Sequence, residues 1–275
     1  MRILKTQHKI FLETLSEEYK SYGKILIALS GGVDSCLAAF LGRKILGRDN
    51  AVAVISNSAS LKEKDYAIAV KFCNDHDIRY EVIYTKELED SNYTSNPINR
   101  CYFCKNELYI TIRKLVDERY ANYKIINGNN FSDLGDYRPG LISASEQEIY
   151  SPFISCKINK AVIRELAQYF NLEVWDKPAS PCLSSRFPYG EEISIDKLKR
   201  VEHAEQILND FGFDEIRVRS YGDIAKIEVP NNKLNLLKRM FQKVEIEIKK
   251  VGFSDCEIDN EGFVSGKMNR ILNEL

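Results

Sequence analysis

The 275-residue sequence lacks several things, and each lack removes a class of protein. No stretch approaches the roughly 18 consecutive apolar residues of a transmembrane helix, so a membrane span is not expected. The opening residues, MRILKTQHKIFLETL, have neither a long apolar core nor a small-residue cleavage site, and they read as an amphipathic helix. A cytoplasmic location is the expectation. Net charge is nearly absent, with 39 Lys and Arg against 40 Asp and Glu. Nothing global therefore draws the chain to nucleic acid or to an anionic membrane, although local basic patches stay compatible with this balance. Internal repeats and low-complexity segments are missing. Histidine is scarce, and His8, His76 and His203 fall in helical segments without metal-ligand spacing. What remains is 44% hydrophobic and 29% charged, the balance of a soluble globular enzyme with one large α/β domain or two smaller ones.

The most specific segment is Ser30-Gly31-Gly32-Val33-Asp34-Ser35. An apolar run, Lys24 to Leu29, precedes it, and a helical pattern, Cys36 to Leu41, follows. Strand, small-residue loop and helix are the setting of a phosphate cradle. Glycines let the backbone turn tightly and approach an anion closely. Successive N–H groups point into the concavity, and the helix N-terminus adds partial positive charge. Ser30 and Ser35 add hydroxyl donors, and Asp34 is placed to hold a magnesium ion on the phosphates. No Lys stands in the loop, which excludes the G-x-x-x-x-G-K-[ST] type. A tight turn before a helix is the bland alternative.

The first part of the chain alternates strand-like and helical patterns. Strands are expected at 24–29, 51–55, 79–84 and 123–128, and helices at 35–46, 62–76, 104–118 and 160–170. This rhythm predicts an α/β fold with a doubly wound parallel sheet, whose ligands sit at the strand carboxyl ends. SGGVDS, Ser56-Asn57-Ser58 and Asn127-Gly128-Asn129-Asn130 all fall at such ends. Pro178 to Gly190 contains three prolines and cannot be a regular element. Beyond it a helix is expected at 194–211, and strands at 216–219 and 225–229 joined by a Gly-Asp turn. A helix at 232–243 and strand-like segments near 247–252 and 256–265 complete a smaller α+β domain. The expected division is a nucleotide-binding domain at 1–178, a junction loop at 179–191, and a substrate-binding or oligomerisation domain at 192–275.

Seven cysteines stand at 36, 73, 101, 104, 156, 182 and 256. In a cytoplasmic chain of this size they read as thiols or metal ligands rather than disulfides. Cys36, Cys73 and Cys156 lie among helical or apolar neighbours and read as small buried hydrophobes. Cys101-Tyr102-Phe103-Cys104 is a C-x-x-C, which alone suits half a zinc site, a dithiol redox pair or part of an iron–sulfur site. Cys182, in the Pro-rich loop, is the more plausible third ligand. Three cysteines without a fourth are an incomplete zinc site but a sensible iron–sulfur site with one iron left open; unligated thiols are the remaining alternative. Asp133, Asp136 and Glu146 flank Asp136-Tyr137-Arg138-Pro139-Gly140, and either hold magnesium or substrate or belong to a solvated loop with Asp as turn former. Arg217 and Arg219 share one face of a strand. With Ser184-Ser185-Arg186 they either gather around an anion or are surface arginines.

SGGVDS, Leu46 to Asn50 (LGRDN), Asp136 to Leu141 (DYRPGL), Ser184 to Gly190 (SSRFPYG) and Arg217-Val218-Arg219 occur in this order. In that combination the chain resembles the LarE family of ATP-dependent sulfur transferases, a branch of the ATP pyrophosphatases, from residue 24 to Met268-Asn269. The loop is common to many ATP pyrophosphatases; DYRPGL and SSRFPYG are more specific. The resemblance implies an adenine nucleotide alpha hydrolase-like fold. It implies an enzyme that uses ATP and Mg2+ to adenylate the carboxylates of a pyridinium-3,5-dicarboxylate mononucleotide. Pyrophosphate leaves, and sulfur then replaces AMP, in the biosynthesis of a nickel-pincer nucleotide cofactor. The implied ATP contacts are Ser30, Gly31, Gly32, Val33, Asp34, Ser35 and Ser56. Ser185, Arg217 and Arg219 would grip the substrate phosphate, with Glu205 near the same site. Cys101, Cys104 and Cys182 look like the class that binds a [4Fe-4S] cluster whose fourth iron carries the transferred sulfide. A second class sacrifices one cysteine, and its position here is Pro181. A homo-oligomer is expected, with no nucleic-acid or membrane partner and with an unassigned sulfide source. The rival readings are tRNA thiolation, ATP-dependent amide synthesis, which leaves the C-x-x-C without a role, and a non-catalytic nucleotide- and metal-binding protein.

Overall fold

The computed structural model describes residues 5–264 with Lys267 and Arg270. Residue 265, where the last expected strand ends, and Met268-Asn269, where the resemblance ends, lie outside the described residues.

An opening helix, α1 (Thr6–Tyr22), leads into β1 (Ile25–Ala28), α2 (Val33–Leu46), β2 (Ala51–Ser56), α3 (Glu63–Asp75) and β3 (Arg79–Ile83). After the short helix α4 (Ser91–Thr94) come α5 (Arg100–Arg119), β4 (Lys124–Ile126), α6 (Pro139–Glu146), α7 (Pro152–Ser155) and α8 (Lys160–Tyr169). The remainder forms α9 (Ile195–Asp210), β5 (Arg217–Tyr221), β6 (Ile224–Glu228), α10 (Leu234–Lys250) and β7 (Asp255–Ile258). Among the described residues no helix is long and apolar enough to cross a membrane. Two compact units result: 5–87 with 99–180, and 88–98 with the described residues from 181 onward.

In the first unit four parallel strands lie in the order β3-β2-β1-β4. Side chains alternate across the sheet. One face takes Ile25, Ile27, Ala51, Ala53 and Ile55, packed with Leu37, Leu41, Phe72 and Leu166 of α2, α3 and α8. The other takes Leu26, Val52 and Val54, packed with Leu108, Ile112 and Leu115 of α5. Burial on both faces is why these strands read as unbroken apolar runs. Strand order reverses at β1, between β2 and β4, and this is the switch point where such sheets bind ligands. SGGVDS leaves β1 at that point.

The second unit carries a three-stranded sheet: β5 and β6 are antiparallel around Gly222-Asp223, and β7 runs parallel to β6. Leu198, Val201 and Leu208 of α9 and Leu237, Val244 and Ile248 of α10 are buried. Segment 88–98, from the first half of the chain, belongs here. Tyr93 Oη lies 2.6 Å from Ser184 Oγ, Asn96 Nδ2 donates to Pro188 O at 2.6 Å, and the Ile193 N–H donates to Thr94 O at 2.8 Å.

Several elements differ from the sequence expectation; the strand expected at 256–265 is β7, which ends at Ile258. α5 begins at Arg100 rather than 104, which takes both cysteines of the C-x-x-C into its first turn. α10 runs to Lys250, so the strand-like segment expected at 247–252 is largely helical. Val244-Glu245-Ile246-Glu247-Ile248 alternates like a strand. Leu237, Val244 and Ile248 are nevertheless buried at helical spacing, while Ile246 is 57% exposed.

Candidate functional site

The SGGVDS loop joins β1 to α2. Gly31 has φ +72°, and a Cβ there would lie 2.7 Å from the Asp65 carbonyl oxygen, so only glycine fits. Gly128, just after β4, is equally confined: a Cβ would lie 2.6 Å from Ser35 N. The two serines brace the loop. Ser35 Oγ accepts from the Ser30 N–H and donates to Gly32 O, both at 3.1 Å, and stands 3.1 Å from Ser30 Oγ. No side chain caps the start of α2, so its first N–H groups are left for an anion.

Cations reach the loop from far along the chain. Lys160 pairs with Asp34 Oδ2 across 126 positions of sequence. Lys177 Nζ donates to Gly31 O at 2.7 Å and pairs with Asp65 Oδ1 at 2.8 Å. Ser180 Oγ donates to the other Asp65 oxygen at 2.6 Å. Sequence reading missed both lysines, because neither belongs to the loop motif and only the fold brings them to it. Ser56 Oγ lies 3.1 Å from Thr85 Oγ1 beyond the carboxyl ends of β2 and β3. Asp133 accepts from the Asn130 N–H at 2.9 Å and its Nδ2 at 3.0 Å, and pairs with Arg138 at 2.9 Å. This geometry is that of a turn former. Asp136 and Glu146 are exposed, and Glu146 accepts from Tyr102 Oη at 2.6 Å.

Cys101 is exposed and Cys104 half-buried, and their spacing in the first turn of α5 puts both on one side of the helix. Cys182 is half-buried and precedes a tight turn at 183–186; its carbonyl accepts from Ser185 Oγ at 2.7 Å. Cys36, Cys73 and Cys256 are buried, and Cys156 is half-buried. Burial pushes the Cys73 and Cys256 thiols up to about 12 and Cys36 higher still, which makes them poor nucleophiles. Among the described residues no cysteine forms a disulfide, and no three Cys, His, Asp or Glu side chains stand together as a metal-holding group. Cys101 and Cys104 belong to the first unit and Cys182 to the second. Thiols as such are donors that suit iron–sulfur and zinc ligation alike.

The arginines are not surface residues. Arg186 is fully buried and forms a fork to Glu205, with Nε donating at 2.8 Å and Nη2 at 3.1 Å. Its Nη1 donates to Ser185 Oγ at 2.8 Å. Arg219, also buried, forks to Glu228 at 3.1 and 3.0 Å and donates to Ser185 O at 2.7 Å. Arg217 stacks over the Phe263 ring at 4.9 Å. Burial first, and then the charges of Arg186 and Arg219, hold its guanidinium down at about 10. Lys267 also approaches Glu228, at 3.8 Å, so that carboxylate faces a second cation. The structure thus gathers Ser185, Arg186 and Arg219. Glu205 is occupied by Arg186 and by the Val218 N–H at 3.2 Å. Glu228 was missed by sequence reading, although the hairpin register puts it opposite Arg217. Within the first unit a cavity of about 330 Å³ lies at the amino end of β3, lined by Arg48, Cys73, Asp77 and Arg79.

Residues 5–123 match the family described as NAD synthase, a stretch that holds β1 to β3 and the SGGVDS loop. The chain is 42% identical to an uncharacterized protein of Synechocystis sp. over 265 residues, which cover 96% of this chain and 98% of that one. It is 31% identical over 261 residues to the pyridinium-3,5-bisthiocarboxylic acid mononucleotide synthase of Lactiplantibacillus plantarum, covering 95% and 94% of the two chains. An uncharacterized protein of Methanocaldococcus jannaschii is 32% identical over 249 residues, or 90% of this chain and 93% of that one.

Proposed function

The chain belongs to the family of the pyridinium-3,5-bisthiocarboxylic acid mononucleotide synthase, the LarE family of ATP-using enzymes, and from that premise we propose that it converts carboxylates of a pyridinium-3,5-dicarboxylate mononucleotide into thiocarboxylates. The observation that carries this reading is the coexistence of two anion-binding devices of different make. One is the SGGVDS loop at the sheet's switch point; the other is the arginine cluster, two of whose guanidiniums donate to Ser185.

In this reading the ATP phosphates lie on the loop N–H groups and the start of α2. Asp34 takes the magnesium ion, and Lys160 and Lys177 add positive charge beside it. Ser56 contributes from the end of β2. Arg217, Arg219 and Ser185 hold the phosphate of the mononucleotide, while Glu205 and Glu228 fix the neighbouring guanidiniums. A substrate carboxylate oxygen attacks the α-phosphorus, the bond to the bridging oxygen breaks, and pyrophosphate leaves. A carboxylate is a poor electrophile because its leaving group would be oxide; AMP is a far better leaving group. A sulfur nucleophile then attacks the acyl carbon, and the bond to AMP breaks. Cys101, Cys104 and Cys182 would hold a [4Fe-4S] cluster, and the chemistry it supplies when bound is a sulfide nucleophile. The first unit would serve nucleotide binding, and the second substrate binding or assembly into a homo-oligomer.

The test mixes the anaerobic protein with Mg-ATP and the pyridinium dicarboxylate mononucleotide. Pyrophosphate release and a thiocarboxylate product are expected. Reconstituted protein should be brown, with about four irons per chain. Absence of substrate-dependent pyrophosphate overturns the reading. Colourless, zinc-loaded protein removes the cluster. Loss of the mass of hydrogen sulfide at Cys182 in the wild type points instead to a sacrificed cysteine.

A further inference from the structure

We propose that Arg138 is a positioning residue that holds the cysteine-bearing turn of α5 in register with the nucleotide loop, through Asp133 and Asn130 on one side and Gly140 on the other. The assignment of sulfur transfer to Cys101 and Cys104 rests on the reading above; the mechanical link does not.

The link is a continuous set of contacts within the first unit. Asp34 Oδ1 accepts from Asn130 Nδ2 at 3.3 Å. The same amide donates to Asp133 Oδ2 at 3.0 Å, and Asp133 Oδ1 pairs with Arg138 at 2.9 Å. The Asp133 side chain is only 9% exposed, whereas Arg138 is 48% exposed and also pairs with Asp136 Oδ2 at 3.4 Å, so the ion pair is shielded on the Asp133 side alone. Arg138 is the residue before α6, and its carbonyl accepts the Leu141 N–H at 2.9 Å. Two residues on, a Cβ on Gly140 would lie 2.9 Å from Lys105 Cγ and 3.6 Å from the Cys101 carbonyl oxygen. The start of α6 is therefore seated against the cysteine turn at a distance that a side chain would disturb. Tyr102 Oη donates to Glu146 at 2.6 Å, and Gln147 Nε2 donates to Asn106 Oδ1 at 3.0 Å. These bonds fix the far end of α6 to the same stretch of α5.

DYRPGL thereby acquires a physical role. Arg138 anchors the helix to the loop system, Pro139 starts it, and Gly140 lets it touch α5. Asp34 is the common end point, since it also faces Lys160. A change in what Asp34 binds alters the Asn130–Asp133–Arg138 geometry, and α6 passes it to Cys101 and Cys104.

The test is the alkylation rate of Cys101 and Cys104 in the full chain, read by peptide mass spectrometry with and without magnesium and α,β-methylene-ATP. In the wild type the nucleotide should change the rate about threefold or more, the size of coupling such networks carry. Arg138→Ala should abolish that response while nucleotide affinity, by equilibrium dialysis, stays within about twofold. Arg138→Lys should restore part of it, and Gly140→Ala should change the rate even without nucleotide. The sulfur transferred per pyrophosphate released should fall about tenfold in Arg138→Ala. A nucleotide response absent in the wild type, or undiminished in Arg138→Ala, overturns the proposal. So does a large loss of nucleotide affinity, which would make Arg138 a ligand contact. Nucleotide-dependent alkylation in a wild type that forms no thiocarboxylate supports the link and refutes the sulfur-transfer reading.

Discussion

In the proposed reading the SGGVDS loop of the first unit and the arginine cluster of the second both prepare a place for an anion, but by opposite means. The loop relies on backbone N–H groups, two confined glycines, a largely buried Lys177–Asp65 pair and one lysine, Lys160, that stays partly wet. The Lys160 and Asp34 side chains are 38% and 24% exposed. The cluster relies on guanidiniums locked to carboxylates away from water. Side-chain exposure is 0% and 6% for Arg186–Glu205, and 7% and 1% for Arg219–Glu228. A wet ion pair opens at little cost and suits groups that must change partners when a metal and a leaving pyrophosphate come and go. A buried fork does not open cheaply, and suits a phosphate that must be held still through both halves of a reaction.

That contrast is broken most directly at Glu228. Glu228→Ala leaves Arg219 buried without its fork, and should destabilise the second unit by about 3–5 kcal/mol in urea unfolding. A loss below about 1 kcal/mol would mean that the two sites do not differ in kind. Next in size is Asp34→Ala, which should slow pyrophosphate release by about a hundredfold, roughly 2.7 kcal/mol, and blunt its response to magnesium titration. Unchanged adenylation would remove Asp34 from the metal role. The third test is pH. Arg217 is already displaced downward to about 10, and in the proposed reading it must be protonated to attract the phosphate. Affinity for the mononucleotide should therefore be level near neutrality and fall as pH rises through about 10, measured by calorimetry. Arg217→Lys should move the midpoint, and a profile flat to pH 11 would show that Arg217 carries none of the attraction. The smallest effect belongs to Lys160→Ala. Stability should change by no more than about 1 kcal/mol, because the pair is partly exposed to water, while the Michaelis constant for ATP rises. A stability loss comparable to that of Glu228→Ala would erase the distinction.

The first unit was legible because its rules are local. Apolar runs bounded by loops gave β1 to β4 in nearly their true places, and SGGVDS marked the switch point before any contact was known. The lysines at that loop were not legible, since 126 and 146 residues separate them from Asp34 and Gly31. α10 runs past the helix expected at 232–243 into the strand expected near 247–252, because Leu237, Val244 and Ile248 are buried at helical spacing. The cluster was half legible: a period-two pair, Arg217 and Arg219, shows which face they share, but not that Glu205 and Glu228 neutralise Arg186 and Arg219. The cysteine turn was misplaced by four residues at its start, which hid its contact with Gly140.

Segment 88–98 sets an order of events for the growing chain. Tyr93 and Asn96 reach their partners across 91 and 92 positions of sequence, so they emerge from the ribosome long before Ser184 and Pro188 exist. Through that interval the parallel sheet can close around its own core, while a buried tyrosine and a buried amide wait without a fold to enter. A ribosome that stalls soon after residue 180 therefore leaves more than a missing tail: the first unit has all of its sequence, while Tyr93 and Asn96 stand without Ser184 and Pro188 in the connection between β3 and α5.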